Sequence, residues 1–207
     1  MNILFIKHGS LGDIVISFGA LKSIRKHFKK DQIFLLTQEN YKKMFLDLPF
    51  VNDILVDNRK NIFLSLLNYF FIIRKKKIDL VIDLQNSSRT NFYHLFTKIF
   101  TNVKISSSRY FAHYRYISKA KGNQHISKNH IDQLKILGVK NFYKPDLSWM
   151  KIRNNSSKNY VIIIPGCSKS GQHKRWPAHN FAKLSSYLIK KKFEVFLTGS
   201  NLDKEII

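Results

Sequence analysis

The chain opens with a short apolar run that stops at a glycine-containing turn bearing a carboxylate. Ile3–Lys7 has the pattern of a buried strand, and His8-Gly9-Ser10-Leu11-Gly12-Asp13 follows it directly, ahead of a helix. In open α/β folds, ligands bind at the carboxyl edge of the sheet, so Asp13 stands where a general base could meet a substrate hydroxyl. A carboxylate in the first helical turn also complements the helix dipole. Both roles remain open for Asp13.

A second strand–turn–helix pattern, farther along the chain, carries cations in place of the acid. Gly166 and Gly171 stand five apart, as in a P-loop, but Gln172 and His173 occupy the places that need Lys and Ser/Thr. What remains is a polar, basic turn ahead of a helix that Pro177 would open. Backbone amides and a lysine could hold a diphosphate there, and a solvated basic loop is the alternative.

A third polar turn, Asp83-Leu84-Gln85-Asn86-Ser87-Ser88-Arg89, follows the predicted strand Asp79–Leu84. Arg89 could bind an acceptor phosphate. The alternative is a helix-capping cluster in which Ser87 or Ser88 caps the helix.

The composition favours an anionic partner. The chain has 207 residues and a net charge of +23, with a pI near 10.1. Such an excess is typical of proteins that bind nucleic acid, phosphorylated sugars, nucleotides or anionic membranes, although a general bias of composition toward Lys would also produce it. An aromatic content of 14% excludes a disordered basic tail. The single cysteine, Cys167, excludes an internal disulfide framework and a multi-cysteine zinc site.

Two further segments have open interpretations. Ile62–Ile73 is apolar almost all round and runs into Arg74-Lys75-Lys76-Lys77, which favours a buried crossover helix. Shallow contact with an anionic membrane leaflet is the alternative. In Ser107–His125, basic and aromatic residues alternate, and we interpret this segment as a loop that contacts the acceptor rather than nucleic acid.

Apolar and amphipathic segments alternate along the chain, which predicts a doubly wound parallel sheet. Strands are predicted over Ile3–Lys7, Gln32–Thr37, Asp53–Val56, Asp79–Leu84, Val103–Ser106, Tyr160–Ile164 and Phe193–Thr198, with helices between them. Lys144–Lys158 has the composition of a linker, which divides the chain into domains at residues 1–150 and 151–207. Two strands cannot bury a doubly wound core, so we expect the chain to be part of a longer protein and inactive alone.

Taken together, these motifs resemble those of glycosyltransferase family 9, the lipopolysaccharide heptosyltransferases. The opening Ile-Lys-His-Gly-Ser-Leu-Gly-Asp-Ile-Val is similar to the family's N-terminal signature. Asp83-Leu84-Gln85 is similar to its D-x-Q-G turn, with Asn86 where glycine is usual. Lys174-Arg175-Trp176-Pro177 is similar to its K-x-W-P segment, and Thr198-Gly199-Ser200 to the turn after the next strand.

The resemblance implies an α/β fold of the GT-B type, with two Rossmann-like doubly wound domains, the second incomplete in this chain. It also implies an inverting transfer of a heptose from ADP-heptose to a phosphorylated lipid A–core acceptor, without a metal or other cofactor. Asp13 would be the base, Gly166, Cys167, Ser168 and Lys174 would bind the donor, and Gly12, Gln85 and Arg89 would bind the acceptor. The first domain would then bind the acceptor and the second the nucleotide sugar.

The resemblance further implies a cytoplasmic protein, with a possible peripheral contact at the inner face of the membrane and no nucleic-acid partner. Two alternatives stay open. One is a non-catalytic basic module that binds nucleic acid or a membrane surface, and the other is a family 9 transferase with a different sugar donor.

Overall fold

The computed structural model describes residues 1–59, 61–118, 124–150, 159–167, 171, 173, 175–200 and 203. The chain divides into two compact units, Met1–Lys151 and Ile152–Ile207. In the described ranges, no helix is both long enough and apolar enough to pass through a bilayer.

The first unit alternates strands and helices as predicted. Its strands are β1 (Asn2–Ile6), β2 (Gln32–Thr37), β3 (Asp53–Val56), β4 (Leu80–Asp83), β5 (Lys104–Ser107) and β6 (Tyr114–Arg115). Its helices are α1 (Leu11–His27), α2 (Glu39–Lys42), α3 (Ile62–Lys75), α4 (Ser88–Phe100) and α5 (Ile126–Ile136), with a 3₁₀ turn over Lys43–Phe45 after α2. The predicted strands are confirmed to within a residue or two. The two-residue strand β6 was not predicted, because Ser107–His125 was interpreted as a continuous loop.

The six strands form one parallel sheet in the order β3-β2-β1-β4-β5-β6. The order reverses beside β1, which is the switch point where an open α/β sheet binds its ligand. Since β1 and β4 are neighbours there, the turns that follow them share one edge.

Each face of the sheet has its own apolar core. Ile3, Phe5, Ile33 and Ile82 pack on the face that α1 and α5 cover, as shown by buried Phe18 and Leu134. The residues between them in the strands point to the opposite face, where Leu66, Tyr69, Ile72, Ile73 and Tyr93 from α3 and α4 cover them. Burial on both faces explains why the strands are continuous apolar runs rather than alternating ones.

Helix α3 corrects one expectation. Ile62–Ile73 was predicted to be buried, but Phe63 and Leu64 are each 63% exposed and Phe71 is 60% exposed. Only one side of α3 packs on the sheet, so its other apolar side faces outward.

The second unit contains β7 (Tyr160–Ile163), α6 (Ala178–Lys190) and β8 (Glu194–Leu197). Strands β7 and β8 pair in parallel, as a βαβ connection requires. The predicted helix-forming segment after residue 200 lies outside the described residues, apart from Asp203.

Candidate active site

The turns after β1 and β4 are tied together by hydrogen bonds. Ile6 pairs with Asp83 at the ends of the two strands. Beyond that pair, the backbone N–H of His8 donates to Gln85 Oε1 at 3.1 Å, and Lys7 Nζ donates to the carbonyl oxygen of Leu84 at 3.3 Å. The glycine-containing turn and the Gln85 turn therefore form one wall of a site.

A cavity of about 310 Å³ opens beside these turns. It brings Asp13 and Gln85, both predicted from the sequence, together with Lys7 and His130. The remaining walls are Leu84, Asn86, Ser108, Tyr116, Ser118, Ile126 and Asn129. The cavity thus combines a carboxylate, a cation and an imidazole at the edge of the sheet where ligands bind.

Asp13 is half-buried in the first turn of α1. Its Oδ2 accepts hydrogen bonds from the backbone N–H of Ser10 at 3.2 Å and from Ser10 Oγ at 3.3 Å. These bonds match the helix-capping interpretation, and the place of Asp13 in the cavity wall matches the catalytic one. The two roles are compatible because both bonds use a single carboxylate oxygen.

Lys7 is a buried cation next to this carboxylate. Lys7 is 2% exposed, and this burial lowers the pKa of its ammonium group. The negative charges of Asp13 and Asp83 act in the opposite direction but do not outweigh the burial. A desolvated ammonium that is not in direct contact with a carboxylate is suited to binding an anionic group of a ligand.

His130 of α5 completes the polar lining and is 3% exposed. Burial and the nearby charge of Lys7 lower its pKa to about 4, against opposing attraction from Asp13. Neither ring nitrogen has a hydrogen-bond partner among the described residues. His130 is therefore a neutral imidazole at pH 7, with one ring nitrogen as a donor and the other as an acceptor.

The low pKa of His130 predicts acid sensitivity. Between pH 6.5 and pH 4 the unfolded chain binds a proton that the native imidazole does not, so stability falls as the pH falls through this window. When the pH falls from 7.5 to 5, the free energy of unfolding should decrease in both proteins. We expect the decrease to be about 1–2 kcal/mol smaller in His130→Gln than in the wild type, as measured by urea unfolding. The exposed His27 provides the control variant, His27→Gln. Parallel losses in wild type and His130→Gln would show that this imidazole titrates normally.

Asp83 stabilises the Gln85 turn by accepting hydrogen bonds from its backbone. It is completely buried, and its Oδ1 accepts from the backbone N–H groups of Gln85 at 2.8 Å and Asn86 at 3.0 Å. Its Oδ2 lies 3.2 Å from His94 Nε2. Burial by itself would raise the pKa of Asp83, but the contacts with His94 and the donated hydrogen bonds outweigh it and lower the pKa.

Asn86 stands where glycine is usual in the D-x-Q-G turn, and its conformation explains why asparagine fits there. Its φ is +51°, in the left-handed region that glycine and asparagine adopt most readily. Its Oδ1 also accepts from Ser107 Oγ at 2.8 Å and from the backbone N–H of Ser108 at 2.7 Å. The side chain therefore joins the turn after β4 to the end of β5, which glycine could not do.

A second buried network supports the same edge. His8 Nε2 lies 3.1 Å from Asp57 Oδ2, and Tyr93 donates its hydroxyl to the same oxygen at 2.7 Å. Burial of Asp57 would raise its pKa, but the contacts with His8 and Tyr93 lower it to about 2. The turn after β1 is thereby anchored to the end of β3.

The other acceptor-side predictions lie apart from this lining. Arg89 is half-buried at the start of α4, where its Nη1 donates to Ser65 Oγ at 3.4 Å, and it is not among the described residues that line the cavity. Ser87 caps α4, accepting from the N–H of Thr90 at 3.2 Å. Gly12 is exposed, and an added Cβ would meet no atom within 4 Å.

The donor-side predictions lie in the second unit. Ser168 and Lys174 fall outside the described residues. Gly166 and Cys167 are half-buried, and an added Cβ on Gly166 would lie 2.5 Å from Asp203 Oδ2, so a larger residue there would displace the Asp203 side chain. Asp203 also accepts from Arg175 Nη2 at 2.7 Å. Of the predicted donor turn, Gly166 thus packs against the Asp203 carboxylate.

A larger cavity of about 500 Å³ lies between the end of α1 and the segment after α5. Lys26, Lys29 and Lys140 line it, but none of its lining residues is a carboxylate. His27 also lines it, but its described lining includes no site residue predicted from the sequence and no residue of the turns after β1 and β4. The smaller cavity is therefore the better candidate for chemistry.

Lys7 and His130 are charged or titratable site residues to which sequence reasoning gave no role. Lys7 was interpreted as the end of a strand and as part of the segment that resembles the family's N-terminal signature. His130 lies on a helix with no local motif, and its place depends on the packing of α5 against α1.

Comparisons with known proteins agree with this fold. A family model described as glycosyltransferase family 9 (heptosyltransferase) matches residues 70–207. No curated protein matches the chain. Among solved structures, a family 9 glycosyl transferase from Veillonella parvula has a TM-score of 0.82 at 20% identity, over 99% of this chain and 64% of that one.

Two solved structures from E. coli are also similar. ADP-heptose lps heptosyltransferase II has a TM-score of 0.75 at 18% identity, over 100% of this chain and 66% of that one. Heptosyltransferase WaaC with ADP-2-deoxy-2-fluoro heptose has a TM-score of 0.75 at 15% identity, over 100% and 71%. The chain spans 64% and 66% of the first two of these structures.

Similarity at these identities shows the fold, so the predicted α/β class of the GT-B type is confirmed. The family model covers well over half of the chain. The chain therefore belongs to glycosyltransferase family 9.

Proposed function

We propose that this chain supplies the acceptor-side domain and part of the nucleotide-sugar domain of an inverting heptosyltransferase. The donor would be ADP-heptose and the acceptor a phosphorylated lipid A–core, by analogy with the E. coli structures named for ADP-heptose and its fluoro analogue. The observation that carries the proposal is the cavity in which Asp13 lies with Lys7 and His130. We propose residues 1–150 as the acceptor domain and 151–207 as part of the donor domain.

In this mechanism the Asp13 carboxylate takes the proton of an acceptor hydroxyl. The hydroxyl oxygen forms a bond to the anomeric carbon of the sugar, on the face opposite the diphosphate. The bond from that carbon to the diphosphate oxygen breaks, and the electron pair leaves with ADP. A single displacement of this kind inverts the anomeric configuration and needs only one base.

The other lining residues have roles that follow from their charge. Lys7 would bind an acidic group of the acceptor, since it brings a buried positive charge to the cavity. The neutral His130 and Gln85 would hold sugar hydroxyls. Arg89 and Gly12, which lie outside the cavity lining in the first turns of α4 and α1, stay as proposed acceptor contacts.

On the donor side, the leaving diphosphate needs positive charge, and the proposal requires no metal to supply it. Lys174 and the turn at Gly166, Cys167 and Ser168, ahead of α6, would supply cationic and backbone N–H contacts. A cytoplasmic enzyme that approaches the inner face of the membrane would meet both substrates.

The test is release of ADP by the complete gene product, with ADP-heptose and a delipidated, phosphorylated core acceptor. We expect release that depends on the acceptor, and none from the 207 residues alone, which span about two thirds of the first solved relatives. Release from another nucleotide sugar only would replace the heptose with a different donor. Absence of release, combined with salt-sensitive RNA binding, would support the basic binding module instead.

A further inference from the structure

Helices α3 and α4 together present an outward surface that is almost entirely apolar. Between them lies a groove of about 230 Å³ lined by Phe63, Leu66, Leu67, Phe70, Phe96 and Phe100. Exposed Leu64, Phe71, Phe92 and Ile99 extend it. We call these ten side chains the α3–α4 surface. An exposed patch of large apolar side chains on this scale marks an interaction site.

Cations border this surface directly. Lys75 Nζ lies 5.5 Å from the ring centroid of Phe71, and the Arg74 guanidinium lies 5.3 Å from that of Phe70. Exposed Lys98 lies in the last turn of α4, and exposed Lys77 follows α3. Because α3 and α4 run from the carboxyl to the amino edge of the sheet, these charges gather at one end of the surface.

Acidic residues are absent from both segments of sequence. No Asp or Glu occurs between Asp57 and Asp79, or between Asp83 and Asp132. The cations next to the α3–α4 surface are therefore not neutralised by acids on the same helices.

The combination of an apolar surface with bordering cations indicates which class of partner fits it. A second copy of the chain would pair two apolar surfaces, but it would also bring together two sets of cations in a chain of net charge +23. A nucleic acid would neutralise the cations but leave the apolar groove without an apolar partner. An anionic bilayer satisfies both, since acyl chains take the apolar side chains and headgroups take the cations.

We propose that the α3–α4 surface docks on an anionic phospholipid bilayer, with Arg74, Lys75 and Lys98 at the headgroups. The phenylalanines enter the interface, while the candidate site stays at the carboxyl edge of the sheet. The proposal does not depend on the identity of the donor sugar or the acceptor.

The experiment is flotation of the chain with vesicles of phosphatidylglycerol or of phosphatidylcholine, without nucleotide sugar. We expect binding to phosphatidylglycerol only. Phe63→Ser with Phe71→Ser should weaken this binding at least about tenfold, because two apolar side chains no longer enter the interface. Arg74→Gln with Lys75→Gln should weaken it by roughly fivefold for each cation removed.

Matched control variants distinguish binding through the α3–α4 surface from nonspecific binding through other cations or other exposed apolar side chains. Leu46 is 65% exposed, beside Phe45, which packs into the core on the α1 side of the sheet. Leu46→Ser should therefore leave binding unchanged, as should Lys29→Gln with Lys30→Gln in the exposed turn that follows α1. Circular dichroism on all variants checks that folding is intact, which is expected because every changed side chain is exposed.

Three results would overturn the proposal. These are equal binding to both vesicles, no binding to either, and equal losses in the control variants. A concentration-dependent dimer that Phe63→Ser with Phe71→Ser abolishes would instead assign the surface to self-association. None of these results bears on ADP release, so the two proposals fail separately.

Discussion

Replacing Asp13 with asparagine is expected to lower the turnover of the complete gene product by about 10²–10⁴-fold, with little change in stability. Asparagine has the same shape and can still accept a hydrogen bond from Ser10, so the cap on α1 is retained. It cannot take a proton from the acceptor hydroxyl. The measurement is kcat/KM for ADP release at saturating donor, with the unfolding midpoint of each variant recorded in parallel.

The structure offers a matched control for this substitution. Asp47 is an exposed carboxylate after the 3₁₀ turn and is not among the described residues that line the cavity, so Asp47→Asn should retain full activity. Equal activity of Asp13→Asn and wild type would make Asp13 a helix-capping residue and place the base elsewhere. A loss of activity that follows a loss of stability would lead to the same conclusion.

The largest stability effect is expected at Asp83. Asp83→Ala removes the acceptor of two backbone N–H groups and leaves His94 buried beside an empty space, which should cost about 3–5 kcal/mol. Asp83→Asn keeps one oxygen for the N–H groups and should cost less. Urea unfolding at pH 7.5 measures both.

Asp79 serves as the control because it flanks the other end of β4. It is exposed and accepts one hydrogen bond, from the backbone N–H of Asn2 at 2.7 Å. Asp79→Ala should cost at most about 1 kcal/mol. If Asp83→Ala costs no more than Asp79→Ala, the buried network does not hold the Gln85 turn.

The sheet could be predicted from the sequence because burial on both faces leaves a simple signal. Ile3–Lys7 and Asp79–Leu84 are continuous apolar runs bounded by polar turns, and polar residues directly after a strand must lie at its carboxyl edge. This was sufficient to place Asp13 and Gln85 at the carboxyl edge. That their turns are neighbours depends on the strand order, which the structure shows.

What could not be predicted depends on contacts between distant segments. Lys7 and His130 are buried because β1, α1 and α5 pack together. The sequence around each residue does not indicate that packing. The outward half of α3 was missed for the same reason. A helix that is apolar all round predicts burial on every side, whereas the sheet covers only the side that carries Leu66, Tyr69 and Ile73.

The most direct measurement of the central claim is the anomeric configuration of the product made by the complete gene product from ADP-heptose. A mechanism with Asp13 as its one base predicts a single heptose added to the acceptor, with inverted configuration at the new glycosidic bond in NMR spectra. Retention of configuration would contradict the account, because a single displacement from the face opposite the diphosphate must invert the anomeric carbon.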